Sequence, residues 1–206
     1  MPETNIPDLN TCDLARVTKN FSLIKELAAD PDNNIRLAVA CNPNTPMHIL
    51  NSMLSGETDK RILSAIAGHR NTIPDMIPVI IANSGPDLYS DIASAHCIPD
   101  DIAEYFAASQ PWEICKNLLC NPEVSSDIIT AISNRFPGYE TDLYLALNPK
   151  TNVASLRRIY DNYSDDIIKW YLARNKNTPS DILDKLSACN INYIACAARQ
   201  TLKERA

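Results

Sequence analysis

The sequence predicts an all-α fold, an α-solenoid of about seven helical hairpins that repeat every 26–27 residues. The first observation is a repeated phrase: ACNPNTP at residues 40–46 returns as ARNKNTP at residues 173–179. The second is that apolar residues recur at helical spacing in every interval between these phrases. The third is that the chain has only four glycines in 206 residues and no run that resembles a strand. A fixed period of this length is typical of stacked supersecondary units.

The first helix of each repeat is located by a column of small or aliphatic residues, here called the anchors. Successive anchors are one such period apart, and they are Ala40, Ala67, Ala93, Leu119, Ala146 and Ala173. The positions one and five residues before each anchor are aliphatic in eleven of twelve cases, and Thr141 is the exception. These two columns are four residues apart and share one helix face, so they predict a buried core.

A turn and a second helix follow each anchor. Proline stands six or seven residues after four of the anchors, where it suits the first turn of a helix. We expect Thr45 and Thr178 to cap that turn, with Asp181 completing a capping box. A second apolar column follows at positions such as Ile49 and Met53. Each repeat is therefore predicted to be a short helix, an Asn/Pro turn and a second helix.

The repeats fill the chain, so we expect one domain over residues 1–206. Residues 1–30 form a degenerate N-terminal cap repeat, residues 31–188 form six regular repeats, and residues 189–206 form a C-terminal capping helix. In the first of these, Asp13 falls at the anchor position, where an aliphatic residue is expected. Atypical ends are usual in repeat proteins, because a terminal repeat turns one face to water.

The phrase D-x-x-x-I-R-x-A-V-A-x-N-P-N-T-P at residues 32–46 resembles the leucine-rich repeat variant class, with a looser match at residues 165–181. That class consists of helical solenoids related in shape to HEAT and armadillo repeats, so the resemblance implies a solenoid here. The period of this chain is longer than is usual in the class. An iron–sulfur member of the class implies an N-terminal cysteine cluster, but only Cys12 lies there, so no cofactor is expected.

Composition and charge limit the kinds of partner. The chain carries a net charge of −6, which disfavours nucleic acid and anionic membrane surfaces as ligands. It has no apolar run long enough to cross a membrane and no signal-peptide pattern at its start, so a cytoplasmic location is expected. The seven cysteines include no C-x-x-C pair. No metal site is therefore predicted, and most of the cysteines are expected to be small buried side chains.

No catalytic residues are predicted, because the chain contains no nucleophile elbow, zinc-protease, P-loop or dinucleotide motif. His48 is expected at the surface near a cap, His69 takes a turn position that is Asn in other repeats, and His96 lies in the corresponding loop. No small-molecule substrate is expected.

One enzyme class with a HEAT-like solenoid offers an alternative, the alkylpurine DNA glycosylases. They use acidic, Trp and Arg residues on a basic face, and the comparison rests on Trp112, Trp170, Asp142 and Asp166. The acidic balance of this chain disfavours it. A cofactor-bearing redox protein is a third class.

The helix face opposite the core changes character along the chain, from mostly polar in the early repeats to partly aromatic in the later ones. We expect an exposed apolar strip edged by acids that would favour a basic partner segment. The strip consists of Trp112, Tyr139, Leu143 and Trp170, and its acids are Glu113, Glu140, Asp142 and Asp166. The alternatives for the same residues are core packing and a homodimer contact.

The function predicted from these features is a non-catalytic scaffold that recognises another protein through the exposed helix column of its repeats. An adaptor and a protein that neutralises or sequesters a basic partner are both compatible with the sequence. The chain is expected to be a monomer or a weak homodimer.

Overall fold

The computed structural model describes residues 10–205, and within that range the chain is helical with no strand. The all-α prediction is confirmed. The chain divides into two compact units, Met1–Pro99 and Asp100–Ala206. The predicted domain boundaries stay a prediction, and residues 1–9 and 206 of the predicted terminal segments lie outside the described range.

The first unit contains seven α-helices in its described part, and a 3₁₀ turn lies on each side of the sixth helix, at Pro74–Met76 and Gly85–Leu88. The helices are α1 (Thr11–Val17), α2 (Phe21–Leu27), α3 (Asn33–Ala40), α4 (Met47–Met53), α5 (Lys60–Ala67), α6 (Ile77–Ser84) and α7 (Tyr89–Ala93). Helix α3 packs against α1 and α5, and α5 packs in turn against α7. The first helices of successive hairpins are thus neighbours.

The second unit contains eight helices in its described part. They are α8 (Asp100–Ser109), α9 (Trp112–Cys120), α10 (Ser126–Arg135), α11 (Tyr139–Leu147), α12 (Val153–Asn162), α13 (Asp166–Arg174), α14 (Ser180–Ser187) and α15 (Asn192–Lys203). Helix α11 packs between α9 and α13, and α15 packs against both α13 and α14. The first helices again lie side by side, as they do in the first unit.

The core follows the predicted columns. All six anchors and all six residues directly before them are buried. In the column five residues before the anchors, Ile35 and Ile114 are only half-buried, and Thr141 is buried although it is polar. Full burial of one Leu or Ile side chain contributes about 1.5–3 kcal/mol, so these columns stabilise the fold substantially.

The turns between helices are joined by buried asparagine side chains. The Nδ2 group of Asn175 donates to the carbonyls of Ala146 and Asn148, at 2.9 and 2.8 Å. Asn148 makes the same pair of contacts with Leu119 and Asn121. Each asparagine thereby satisfies carbonyls that the preceding first helix leaves without an intrahelical partner.

His69 takes the place of asparagine in one such turn, as the sequence predicts. Its Nδ1 accepts from the backbone N–H of Asn71 at 3.1 Å, which makes Nε2 the protonated nitrogen. Nε2 lies 2.9 Å from the carbonyl oxygen of Asn42 and donates to it. His48 is exposed, as expected, and His96 is exposed as well.

The predicted role of the threonines in the turns is wrong. The hydroxyls of Thr45 and Thr178 donate to carbonyls six residues earlier, in the last turn of the first helix, at 2.6 and 2.7 Å. The N-cap positions of α4 and α14 are occupied by the prolines that follow, and neither has a side-chain cap. The threonines therefore close the first helix instead of starting the second. Asp181 pairs with Arg157 and does not complete a capping box.

The first repeat has a different register from the predicted one. Asn42 donates to the carbonyls of Ala15 and Thr18, at 2.8 and 2.9 Å, so Ala15 takes the anchor role. Ala15 is fully buried whereas Asp13 is exposed. The apolar side chain, and not the regular spacing, decides which residue faces the core.

The predicted C-terminal capping helix corresponds to α15. Its Thr201 hydroxyl donates to the carbonyl of Ala173 at 2.7 Å, a contact that asparagine makes in earlier turns. The guanidinium of Arg205 donates to the carbonyls of Asn175 and Thr178.

The expectation that most cysteines are buried is wrong. Only Cys115 is buried among the seven, and Cys41, Cys120 and Cys196 are exposed. Burial raises the pKa of the Cys115 thiol, whose Sγ lies 3.4 Å from the carbonyls of Phe106 and Gln110.

Candidate functional site

The eight residues of the predicted site lie on three neighbouring helices of the second unit, α9, α11 and α13. Trp112, Tyr139 and Asp166 are the first residues of these helices, and each follows the previous one by a full repeat. The repeat therefore brings the three to equivalent positions, at the N-terminal ends of helices that pack side by side. Leu143 and Trp170 lie one helical turn further along.

Trp112 is half-buried and forms part of an aromatic cluster. Its ring centroid lies 5.6 Å from that of Phe136 and 6.1 Å from that of Tyr144, with the rings tilted. Such tilted arrangements are favourable because the edge of one ring faces the π-system of another. The indole is therefore held in place by two neighbouring rings.

Tyr139 is the most exposed aromatic residue of the predicted site, at 44% of its surface. Its ring meets Tyr163 edge-on at 5.5 Å, and its hydroxyl lies 3.3 Å from a carboxylate oxygen of Asp165. Partial desolvation and the neighbouring carboxylate of Asp165 raise the pKa of the Tyr139 hydroxyl. The phenol therefore stays protonated and donates to Asp165.

Trp112 and Tyr139 line one pocket of about 300 Å³ together with Phe136, Glu140 and the Pro137–Gly138 turn. Gly138 has φ 150° and ψ 177°, a conformation that is essentially restricted to glycine. This backbone lets the chain leave Phe136 and begin α11 at Tyr139. Three aromatic residues and one acidic residue thus line a space that opens to solvent.

Asp142 is a correction to the predicted site. It is buried, and both of its carboxylate oxygens accept from the guanidinium of Arg158, with Nη1 at 3.0 Å from Oδ2. Burial, together with the nearby carboxylate of Asp142, raises the pKa of the Tyr163 hydroxyl. Asp142 faces α12 and stabilises the hairpin, so it does not belong to an exposed acidic edge.

Trp170 is half-buried and lies apart from the pocket. Its ring is 5.1 Å from that of Tyr171, and the guanidinium of Arg174 lies over it at 4.7 Å. Leu143 is also half-buried. Neither residue lines the pocket that Trp112 and Tyr139 share. The structure therefore brings together only part of the predicted strip.

The remaining acids of the predicted site are exposed. Glu113, Glu140 and Asp166 each lie in the first turn of a helix, and none forms an ion pair within residues 10–205. Acids at this position interact favourably with the helix dipole. Their carboxylates also remain available to a cation from outside the chain.

Two aromatic residues of this region, Phe136 and Tyr163, were not predicted. They occupy the same position in successive repeats, and each contacts the aromatic residue 24 positions earlier. The same 24-residue spacing between two aromatic residues is visible in the sequence. It could have been found by comparing the ends of the second helices across repeats.

Comparisons with protein-family models, with curated proteins and with solved structures yield no match. Within residues 10–205 no three His, Cys, Asp or Glu side chains form a group that could hold a metal ion. The described helices are too short or too polar to cross a membrane.

Proposed function

We propose that this chain is a non-catalytic scaffold that binds a protein partner through one end of three neighbouring helices. These are the N-terminal ends of α9, α11 and α13, the first helices of its later repeats. The exposed or half-exposed residues Trp112, Glu113, Tyr139, Glu140 and Asp166 are the contact surface, with Leu143 and Trp170 beside it. The observation that carries the proposal is the pocket shared by Trp112, Tyr139 and Glu140. Aromatic residues commonly anchor protein interfaces because they bury a large area at small entropic cost.

The architecture we propose is an α-solenoid of about seven hairpins similar to the leucine-rich repeat variant class. Support comes from hydrogen bonds that recur one repeat apart within each unit. His69 contacts Asn42, and Asn175 contacts Asn148, in both cases 27 residues earlier. Stacked repeats of this kind present equivalent side chains along one face.

The partner we propose is a protein with a basic segment, bound in the cytoplasm by a monomer or weak homodimer of this chain. The net charge of −6 supports this choice, as do the exposed carboxylates of Glu113, Glu140 and Asp166, which form no ion pair among residues 10–205. Opposite charge increases association rates and discriminates against acidic partners. An adaptor and a neutralising protein share this chemistry.

Site-specific photocrosslinking tests the proposal. The photoreactive residue p-benzoylphenylalanine replaces Tyr139 in one preparation and Tyr193, another exposed tyrosine that lies on α15, in a control. We expect position 139 to crosslink one protein from the native lysate, at a peptide that contains Lys or Arg. Unlabelled chain should compete, whereas the Glu140→Lys variant should not.

Two outcomes contradict the proposal. Adducts that are identical at positions 139 and 193 would mean that no specific surface is involved. An adduct with a second copy of the chain, and with nothing else, would assign the surface to a homodimer contact.

A further inference from the structure

The pocket beside α11 has walls that suit a cation. Three aromatic residues, Trp112, Phe136 and Tyr139, and one acidic residue, Glu140, are among the residues that line it. No basic side chain lines the pocket. Aromatic faces attract ammonium and guanidinium groups through the ring quadrupole, and a nearby carboxylate adds a direct charge interaction.

Cations already lie over three aromatic rings of the second unit, and one of these rings, that of Phe136, belongs to a residue that lines the pocket. Arg135 lies 4.6 Å from the centroid of Phe136, Arg174 lies 4.7 Å from that of Trp170, and Lys185 lies 5.7 Å from that of Tyr160. Arg135 is held by the carbonyls of Ala107 and Gln110, at 2.9 and 2.6 Å, and does not line the pocket.

The rings of Trp112 and Tyr139 have no cation over them among the described residues. Glu140 has no ion-pair partner in the same range. These are the two elements of a cation site, and within the described part of the chain neither is occupied.

The geometry points to this pocket as a binding site for a single Lys or Arg side chain of a protein partner. The inference rests on the proposed function, since it names the chemical group that the partner inserts. The ammonium or guanidinium lies against Trp112 and Tyr139 and pairs with Glu140. The aliphatic stem of the same side chain packs against Phe136.

The opposing possibility is an anion. Helices α9 and α11 begin after Pro111 and Gly138, and neither residue provides a side-chain cap. Backbone N–H groups in the first turns could therefore attract a carboxylate. Glu113 and Glu140 lie in those same turns and offset this field, so a cation is favoured.

The two tryptophans of the chain allow a direct test by NMR, because each indole N–H gives one signal. Trp112 reports on the pocket and Trp170 serves as an internal control, and the Trp112→Phe variant assigns the signals. The probes are acetylated, amidated tripeptides Gly-X-Gly in which X is Arg, Lys, norleucine or Glu. Norleucine has the four-carbon stem of Lys but lacks its ammonium group.

We expect the Arg and Lys peptides to shift the Trp112 signal saturably, with a Kd of about 1–10 mM, and to leave Trp170 unchanged. Norleucine should bind at least about fivefold more weakly, as loss of roughly 1 kcal/mol of cation interaction implies. Glu140→Gln should weaken Lys binding by about threefold. Glu113→Gln, an exposed neighbour outside the pocket, should leave it within about twofold.

Three results would overturn the inference: equal binding of norleucine and Lys, a shift of Trp112 by the Glu peptide, or no shift with any peptide. The measurement needs no partner, so it separates this inference from the proposed function. Peptide binding without a crosslinked partner contradicts the scaffold role alone. A crosslinked partner without peptide binding contradicts the pocket alone.

Discussion

At the scale of single residues, the unusual feature is the number of buried polar side chains in the turns. Asn42, Asn148, Asn175, Thr45 and Thr178 are all buried. Within the described residues, no buried side-chain nitrogen or oxygen lacks a hydrogen-bond partner. A satisfied buried amide contributes modestly, whereas an unsatisfied one costs its full desolvation. These residues therefore determine how the repeats dock as well as how each turn closes.

Asn175 gives the sharpest test of this role. In Asn175→Asp, two carbonyls that accept from Nδ2 would face a carboxylate oxygen that cannot donate. We expect the free energy of unfolding to fall by about 2–3 kcal/mol, measured by urea denaturation at pH 7. Asn190→Asp, the same change at an exposed site, should cost less than about 0.5 kcal/mol. Equal effects in the two variants would contradict the argument.

Glu57 and Arg36 form the clearest pH-sensitive contact. Glu57 is buried, and its carboxylate lies 2.9 Å from Nε of Arg36. Burial opposes ionisation of Glu57, but the hydrogen bond from Arg36 and the backbone N–H groups of Asp59 and Thr58 outweigh it. The pKa of Glu57 is consequently lowered.

A lowered pKa in the folded state means that ionised Glu57 stabilises the protein at neutral pH. This contribution is present above the ordinary Glu pKa of about 4.3 and is lost as pH falls through the lower folded value. We expect Glu57→Gln to lower the unfolding free energy by about 1–2 kcal/mol at pH 7. Urea denaturation from pH 7 to pH 3 should show the difference from wild type shrinking. Glu26→Gln, at an exposed site, should track wild type throughout; a constant deficit in Glu57→Gln would be inconsistent with the linkage.

At the scale of elements, five of the first helices begin in one of two ways. Asp32, Asp59 and Asp165 cap α3, α5 and α13 through backbone N–H groups. Helices α9 and α11 instead begin after Pro111 and Gly138. The aromatic pocket is found where the capping aspartate is missing, because its walls come from the turn that replaces the cap.

Gly138 is the residue on which that turn depends. An alanine there would hold a conformation that residues with a side chain rarely adopt, although its Cβ would meet no atom within 4 Å. We expect Gly138→Ala to lower the unfolding free energy by about 1–3 kcal/mol and to shift the Trp112 indole signal. Gly68→Ala is the matched control, since Gly68 has helical angles and an ordinary 3.7 Å contact. That variant should be neutral or slightly stabilised. If Gly138→Ala were as stable as the control, the turn would not need glycine.

At the scale of the whole molecule, the net charge of −6 separates the proposed function from the glycosylase alternative. Binding to a duplex requires cations that displace counterions from the phosphates. The alternative also invoked Asp142, which is buried against Arg158.

We therefore expect no binding of the chain to a fluorescent DNA duplex of about 20 base pairs at ~50 mM salt, measured by anisotropy. The control replaces the DNA with a polypeptide of a repeated basic tripeptide that carries the same fluorescent label. This polypeptide should bind to the protein at ~50 mM salt and be released from it at high salt. DNA binding whose logarithm falls linearly with that of the salt concentration would contradict the proposal and favour a nucleic-acid enzyme.

Much of the local structure could be predicted from the sequence. The anchors and the columns before them recur once in every repeat, and burial of such a column needs only helical periodicity. The turn role of His69 was predictable for the same reason, because it takes the place of a recurring asparagine. Only some of the residues that line the pocket could be predicted: Trp112, Tyr139 and Glu140 were identified from the sequence, but Phe136 was not.

The sequence by itself determined the helical class, the core columns and the positions of the turns, because these depend on contacts between residues close along the chain. Only the tertiary structure decided which polar side chains are buried. Asp142 is buried because Arg158, sixteen residues away, reaches its carboxylate. Ala15 replaces Asp13 as an anchor, and its carbonyl accepts from Nδ2 of Asn42 in the next hairpin. Each of these outcomes depends on how neighbouring helices dock, and periodicity along one helix does not specify which side chain of the next helix meets it.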